Sequence, residues 1–311
     1  MAGDPVAGHG RGGLASLAQV ADSRRERDIW AEWLAVHRHG GDSEVRREML
    51  EKVGGVRDKV LDRAGFAAGE SLLDVGCGEG LIGFGALERG AGHVVFSDIS
   101  QDLLDFCCET AEALGVSARC SFVKASAHDL AGLDDGSVDV VTTRSVLIYV
   151  AEKDRAFQEF FRVLGSGGRV SLFEPINSFG MHERRQGWWG YPSDGFQDLA
   201  QRVEQIFEAI QPPSDPMLDF DEHDLVRFAE DAGFFPIELD FHAEIKPTDP
   251  KSWPAFLNSS GNPKIPTLAE AMDEALTPEE RERLSEHLRP LIEEGRGVWR
   301  MGEAYLLGVK P

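Results

Sequence analysis

Ser71–Gly80 reads SLLDVGCGEG. Leu72, Leu73 and Val75 surround Asp74, and Gly76, Gly78 and Gly80 follow at every second position. A short apolar run of this kind predicts a buried strand, and Leu81, Phe84 and Gly85 beyond it predict a helix. Glycines at such a junction allow a tight turn and let a ligand meet backbone N–H groups at the helix N-terminus. A dinucleotide fingerprint would place its third glycine at position 81, where Leu81 stands, and no Gly-Lys-Ser or Gly-Lys-Thr follows to make a P-loop. Glu79 repels a diphosphate and tolerates a cationic or zwitterionic ligand better.

Working outward, the same two periods alternate. His93–Asp98 (HVVFSD), Cys120–Ala125 (CSFVKA), Val138–Thr142 and Gly168–Pro175 (GRVSLFEP) read as four further strands. Leu103, Cys107, Ala111 and Leu114 stripe one intervening helix, and Phe157, Phe160, Phe161 and Leu164 stripe another. Strand and helix at this spacing predict βαβ units, a parallel sheet and a ligand site beyond the C-terminal strand ends. Asp74, Asp98, Ser126–Asp129, Arg144, Ser145 and Glu174 all fall at those ends. Asp98, one strand beyond Asp74, is placed to accept both hydroxyls of a ribose. The ligand expected is therefore a nucleoside with a tail other than a diphosphate.

With these residues in place, the chain resembles the class I S-adenosylmethionine-dependent methyltransferases of small-molecule type. Leu72–Gly80 resembles their first motif and Phe96–Ser100 their second-strand motif. Ala125–Leu130 falls at the adenine-side loop, Leu133–Val150 at the fourth-strand region, and Phe160–Pro175 at the helix, turn and fifth strand. The likeness is strong over about 60–175 and loose over 220–245 and 304–311. It implies an α/β fold: a seven-stranded, mostly parallel Rossmann-like sheet with helices on both faces, plus helical lid insertions. It implies S-adenosyl-L-methionine as cofactor, with Gly76 and Gly78 lining the methionine end and Asp98 holding the ribose. Ile99 would pack on the adenine, with Ala127 and His128 nearby. Ser126 stands where many relatives carry an acid, which leaves Asp129 or a backbone carbonyl for the adenine amino group. Asp74, Cys77, Gly80 and Arg144 complete the candidate cofactor-binding set.

Methyl transfer from a sulfonium needs alignment and exclusion of water, and a base only for an acceptor that starts protonated. Glu174, at the end of the fifth strand, is the first candidate for that base or for acceptor binding. His182, with Glu183, is the second. Arg144 is placed to pair with Glu174 or with an acceptor carboxylate, or to be structural. The stretch Asn177–Gly195 lacks a period and carries Trp188, Trp189 and Tyr191, an expected lid and acceptor wall. The two tryptophans would face opposite ways in a regular strand or helix. Trp30 and Trp33, on an N-terminal helix with Leu34 and His37, either roof the pocket or cover a sheet edge. His37 and His39 lack the partners of a zinc site, and no metal is expected.

The segments expected are a flexible 1–22, N-terminal helices over 23–63, a cofactor-binding core over 64–175, and a lid insertion over 176–218. The core resumes at 219–245, a second helical insertion spans 246–302, and 303–311 is the final strand. Phe234–Ile245 alternates, with Phe235, Ile237, Leu239, Phe241 and Ile245 expected on one face. Thr277, Pro278 and Glu280 form a helix start with a capping box. Trp253, Phe256 and Trp299 are expected in the core.

Composition bounds what remains. Among 311 residues, 54 acids against 32 Lys and Arg give a formal charge of -22, which opposes a nucleic-acid surface. The four cysteines include the adjacent Cys107 and Cys108 and read as reduced thiols. No apolar run long enough for a membrane span and no secretory pattern occurs, so a cytoplasmic monomer or homodimer acting on a small molecule is expected. The acceptor atom expected is oxygen or nitrogen. Methylation of a protein or peptide side chain, and cofactor binding without catalysis, are the alternatives.

Overall fold

The computed structural model describes residues 27–38, 40, 54–181 and 188–311. Five strands follow the sequence reading: β1 (Ser71–Val75), β2 (His93–Asp98), β3 (Cys120–Lys124), β4 (Val138–Arg144) and β5 (Leu164–Pro175). With β6 (Ile237–Pro247) and β7 (Val298–Val309) they form one seven-stranded sheet in the order β3-β2-β1-β4-β5-β7-β6. Every pairing from β3 to β5 is parallel, and β7 runs antiparallel to both its neighbours. The expected mostly parallel sheet is present. β1 is buried along nearly its whole length because helices cover both of its faces, which its apolar run requires.

Two apolar layers flank the sheet. On one face, α2 (described over 54–63) and α3 (Leu81–Glu88) pack Val60, Leu61, Ile82 and Phe84 against Leu72, Val94 and Phe96. Cys107 and Ala111 of α4 (Gln101–Ala113) join that layer. On the other face, α5 (Lys153–Val163) and α8 (Glu222–Ala232) place Phe157, Phe160, Leu225 and Ala229 on Leu73, Val141 and Leu172. Met49 and Val53 of the expected second helix lie outside the described residues, and so do His39, His182 and Glu183.

The connections after β5 and β6 carry helices: α6 (Asn177–Met181), α7 (Gln197–Ile210), α9 (Trp253–Asn258), α10 (Leu268–Ala275) and α11 (Pro278–Glu293). α7, α9, α10 and α11 share a third core, in which Leu199 and Val203 meet Trp253, Met272, Leu284 and Leu288. α11 starts as its sequence requires. The Thr277 side chain accepts from the Glu280 N–H, and the Glu280 carboxylate accepts from the Thr277 N–H at 2.9 Å. Thr277→Ala is expected to destabilise the protein by about 1 kcal/mol, the usual cost of losing such a cap. An unchanged urea midpoint would show that the helix start does not contribute.

Several boundaries differ from the sequence reading. β5 begins at Leu164 rather than Gly168, because Val138 pairs with Leu164 before the ladder shifts register between Val138 and Val140. β6 extends to Pro247 and β7 begins at Val298, because the hairpin ladder continues through the pairs Lys246↔Trp299 and Pro247↔Val298. The start of the aperiodic stretch, Asn177–Met181, is helical. β6 is an edge strand, so its alternation does not translate into burial: Phe241 is 37% exposed and Ile245 55%, and Phe235, just before the strand, is 76% exposed. Trp299, expected in the core, lies on β7 at 47% exposure.

Candidate cofactor and acceptor site

The glycine loop is tight for steric reasons. Gly76 has φ +62°, and a Cβ there would lie 2.4 Å from Val146 Cγ2. Gly80 caps α3 with φ +79°, where a Cβ would meet the Phe84 ring at 2.5 Å. Side chains at either position would strain the backbone and displace packed neighbours. Asp74 lies beneath the loop, and its carboxylate accepts from the Gly83 N–H at 2.9 Å and the Thr142 hydroxyl at 3.4 Å. Burial pushes its pKa up to about 7 against those hydrogen bonds. Cys77 is buried, and a hydrogen bond with Cys107 and then burial hold its thiol well above its usual value.

Asp98 ends β2 directly beside this loop. One oxygen accepts from the Gly78 N–H and the other from the Ser100 N–H, each at 2.9 Å. Burial raises its pKa, opposed by those backbone donors. Next to it Ile99 is 45% exposed, a large apolar side chain left on the surface. Ile99, Lys124, Ser126 and Asp129 line an open cavity of about 360 Å³. Ala127 turns into the main core, and His128 approaches the Ser126 hydroxyl at 3.5 Å.

The N-terminal segment lies over the same loop. Asp28 caps α1 (Ile29–Glu32) through the N–H groups of Trp30 and Ala31, and the Ser100 hydroxyl donates to it at 2.6 Å. Leu34, in the π-helical turn Trp33–His37, sits 3.8 Å from where a Cβ on Gly78 would be. Trp30, Trp33 and Tyr149 pack edge to face, with ring centroids 5.2–6.2 Å apart. The second insertion reaches this cluster: the Trp33 indole donates to the Ser260 carbonyl at 3.0 Å, and the Tyr149 hydroxyl to the Gly261 carbonyl at 3.3 Å. The sequence reading placed Leu34 on the face that could roof the pocket and missed Tyr149 and Arg38. In RSVLIYV, Tyr149 looks like one more apolar position, and its only signal was its nearness to the end of β4.

Glu174 is fully buried. Its carboxylate accepts from the Thr143 hydroxyl at 3.2 Å and from the N–H groups of Val146, Leu147 and Ile148 at 3.0, 3.1 and 3.3 Å. It thus holds the turn after β4, which includes Ser145 at φ +56° and the short 3-10 helix Leu147–Tyr149. Burial pushes its pKa up to about 7 against these four donors.

Trp188, Trp189 and Tyr191 stand elsewhere. Trp188 and Tyr191 are buried in the core shared by the insertions. Trp189 stacks on Trp188 with centroids 4.8 Å apart and planes at 9°, and packs edge-on to Phe207. Its φ of +48° departs from the strand or helix geometry that would splay neighbouring rings. Among the described residues no ring contact joins this group to Trp30, Trp33 and Tyr149.

Residues 73–172 match the family model described as a methyltransferase domain. Over 116 residues the chain is 34% identical to the ubiquinone/menaquinone biosynthesis C-methyltransferase of Vibrio parahaemolyticus, covering 37% of this chain and 44% of that protein. Over 133 residues it is 33% identical to the tRNA 5-carboxymethoxyuridine methyltransferase of Escherichia coli, covering 42% and 51%. The chain thus spans about half the length of the curated relatives it matches. A solved structure from Bacillus halodurans, described as a candidate methyltransferase, superposes with a TM-score of 0.52 at 20% identity. The match covers 82% of this chain and 98% of that one and speaks for the fold alone.

Proposed function

The chain has the class I, Rossmann-like S-adenosylmethionine-dependent methyltransferase fold, whose cofactor is S-adenosyl-L-methionine, and we propose that it methylates an oxygen or nitrogen of a small molecule by direct displacement. The observation that carries this reading is Asp98 beside Gly78, with exposed Ile99 and the adjoining cavity next to it. The donor set suits that cofactor. The glycine loop offers backbone under the methionyl end, Asp98 offers oxygens to ribose hydroxyls, and Ile99 offers an apolar face to adenine. Ser126 and Asp129 stand at the cavity edge for its amino group.

When bound, the cofactor supplies an electrophilic methyl on a sulfonium. The protein's part is to orient the acceptor and exclude water, which can be worth roughly 7–11 kcal/mol in favourable cases. Trp30, Trp33 and Tyr149 offer aromatic faces for both tasks, and a ring beside a cation contributes about 0.5–2 kcal/mol. Glu174 is a positioning residue in this reading: its carboxylate sets the turn that carries Tyr149, and it is sealed from solvent. An acceptor that arrives deprotonated needs no base. The two curated relatives are named for different acceptors, so the shared core does not dictate this one. A charge of -22 disfavours a phosphate backbone as substrate.

Calorimetry should show S-adenosylhomocysteine binding and no NAD binding. NAD binding without S-adenosylhomocysteine binding would end this reading. A positive result licenses a methyl-transfer screen over metabolites to find the acceptor.

A further inference from the structure

The end of β4 holds a cation that forms no ion pair among the described residues. Arg144 closes β4 half-buried, and its guanidinium donates no hydrogen bond among the described residues. The two acids in its field are already engaged. Asp74 accepts from Gly83 and Thr142, and Glu174 from four donors, and neither forms an ion pair with Arg144 among the described residues. The neighbour with the strongest electrostatic influence is instead another cation, Arg38. Its guanidinium carbon lies 5.4 Å from the Trp33 ring centroid. Burial first, and then the charge of Arg38, lower the Arg144 pKa to about 10, so Arg144 remains charged at neutral pH.

Two like charges that act on each other in a partly buried setting repel, and an anion bound by both removes that cost. Guanidinium forks match the planar geometry of a carboxylate. The position favours the acceptor as the source of that anion over the cofactor, to whose binding set the sequence reading assigns Arg144. β4 borders β1 on the side away from β2, so Arg144 lies across the glycine loop from Asp98. Arg38 lies over Trp33 and Tyr149 acts on Arg144, and the rings of Trp30, Trp33 and Tyr149 pack together and offer planar apolar surface.

We propose that Arg144 and Arg38 bind a carboxylate of the acceptor, whose planar apolar body rests on Trp30 and Tyr149. This assigns a substrate class and rests on the methyl-transfer reading of the same site. Benzoate is the probe and benzamide its uncharged counterpart, each titrated by NMR into protein loaded with S-adenosylhomocysteine. Benzoate should bind at least tenfold more tightly than benzamide. Arg144→Gln and Arg38→Gln should each weaken benzoate at least tenfold, Arg144→Lys, which keeps the charge and loses the fork, should weaken it less than Arg144→Gln does, and S-adenosylhomocysteine affinity should stay within threefold in all three variants.

Equal binding of benzoate and benzamide would overturn the proposal. So would a tenfold loss of S-adenosylhomocysteine affinity in the Gln variants with 5′-methylthioadenosine unaffected, which would assign the pair to the cofactor's own carboxylate. Should the wild-type protein fail to bind S-adenosylhomocysteine at all, the methyltransferase reading itself falls and takes this proposal with it. Loaded protein that ignores benzoate overturns the carboxylate assignment alone.

Discussion

Glu174→Leu is expected to remove at least about 3 kcal/mol of unfolding free energy, since each orphaned buried donor costs about 1–3 kcal/mol. Four donors lose their acceptor at once: the Thr143 hydroxyl and the N–H groups of Val146, Leu147 and Ile148. Leucine is close in size and leaves no large cavity, so the loss reports the hydrogen bonds. Urea unfolding measures it, and a loss below about 1 kcal/mol would mean that the carboxylate does not hold the turn. Glu174→Gln adds a test of sign. Burial raises the folded pKa to about 7, above the unfolded value of 4.5. A raised carboxyl is unpenalised below its unfolded pKa and destabilises the fold progressively as pH climbs to its folded pKa. The stability of wild type relative to Glu174→Gln should therefore fall by about 3 kcal/mol from pH 4 to pH 8, at roughly 1.4 kcal/mol per pKa unit. A relative stability that rises instead would mean that the four donors outweigh burial and keep the group ionised.

Asp98→Ala carries the second large effect. S-adenosylhomocysteine affinity should fall 10- to 100-fold, about 1–3 kcal/mol. Two losses coincide: the oxygens offered to the ribose, and the anchors of the Gly78 and Ser100 N–H groups that shape the loop. Separating them requires a ligand without the ribose diol. The 2′,3′-dideoxy analogue of S-adenosylhomocysteine should bind wild type and Asp98→Ala almost equally if the hydroxyls account for the loss. Unchanged S-adenosylhomocysteine affinity in Asp98→Ala would remove Asp98 from the site.

The parts that could be read from the sequence are those governed by short-range rules. β1 to β5 announce themselves as apolar runs closed by a polar residue, and glycines at every second position can only mark a turn under steric demand. Asp98 was visible because its distance from Asp74 is one βα unit. The edge was harder. Phe241 and Ile245 alternate as buried residues do, but nothing in the alternation tells a strand whether a neighbour covers it, and on β6 both remain exposed. Glu174 was visible as a carboxyl at a strand end. Its four donors were not, because three are backbone groups with no side-chain signature. Tyr149 and Arg38 were invisible for a related reason: their meeting with Trp33 depends on how a turn after β4 faces an N-terminal segment more than a hundred positions away in the chain.

The core beneath α7 draws Leu199 and Val203 from before β6, and Trp253, Leu284 and Leu288 from after it. The cap is therefore sewn through the sheet rather than appended to it. No single cut in the chain detaches it, and a chain ending after β6 would leave the apolar stripe of α7 without its partners. Such a cap cannot be exchanged between relatives as a cassette. Any inherited change to it has to remain compatible with α8 and β6, which lie between its two halves in the chain.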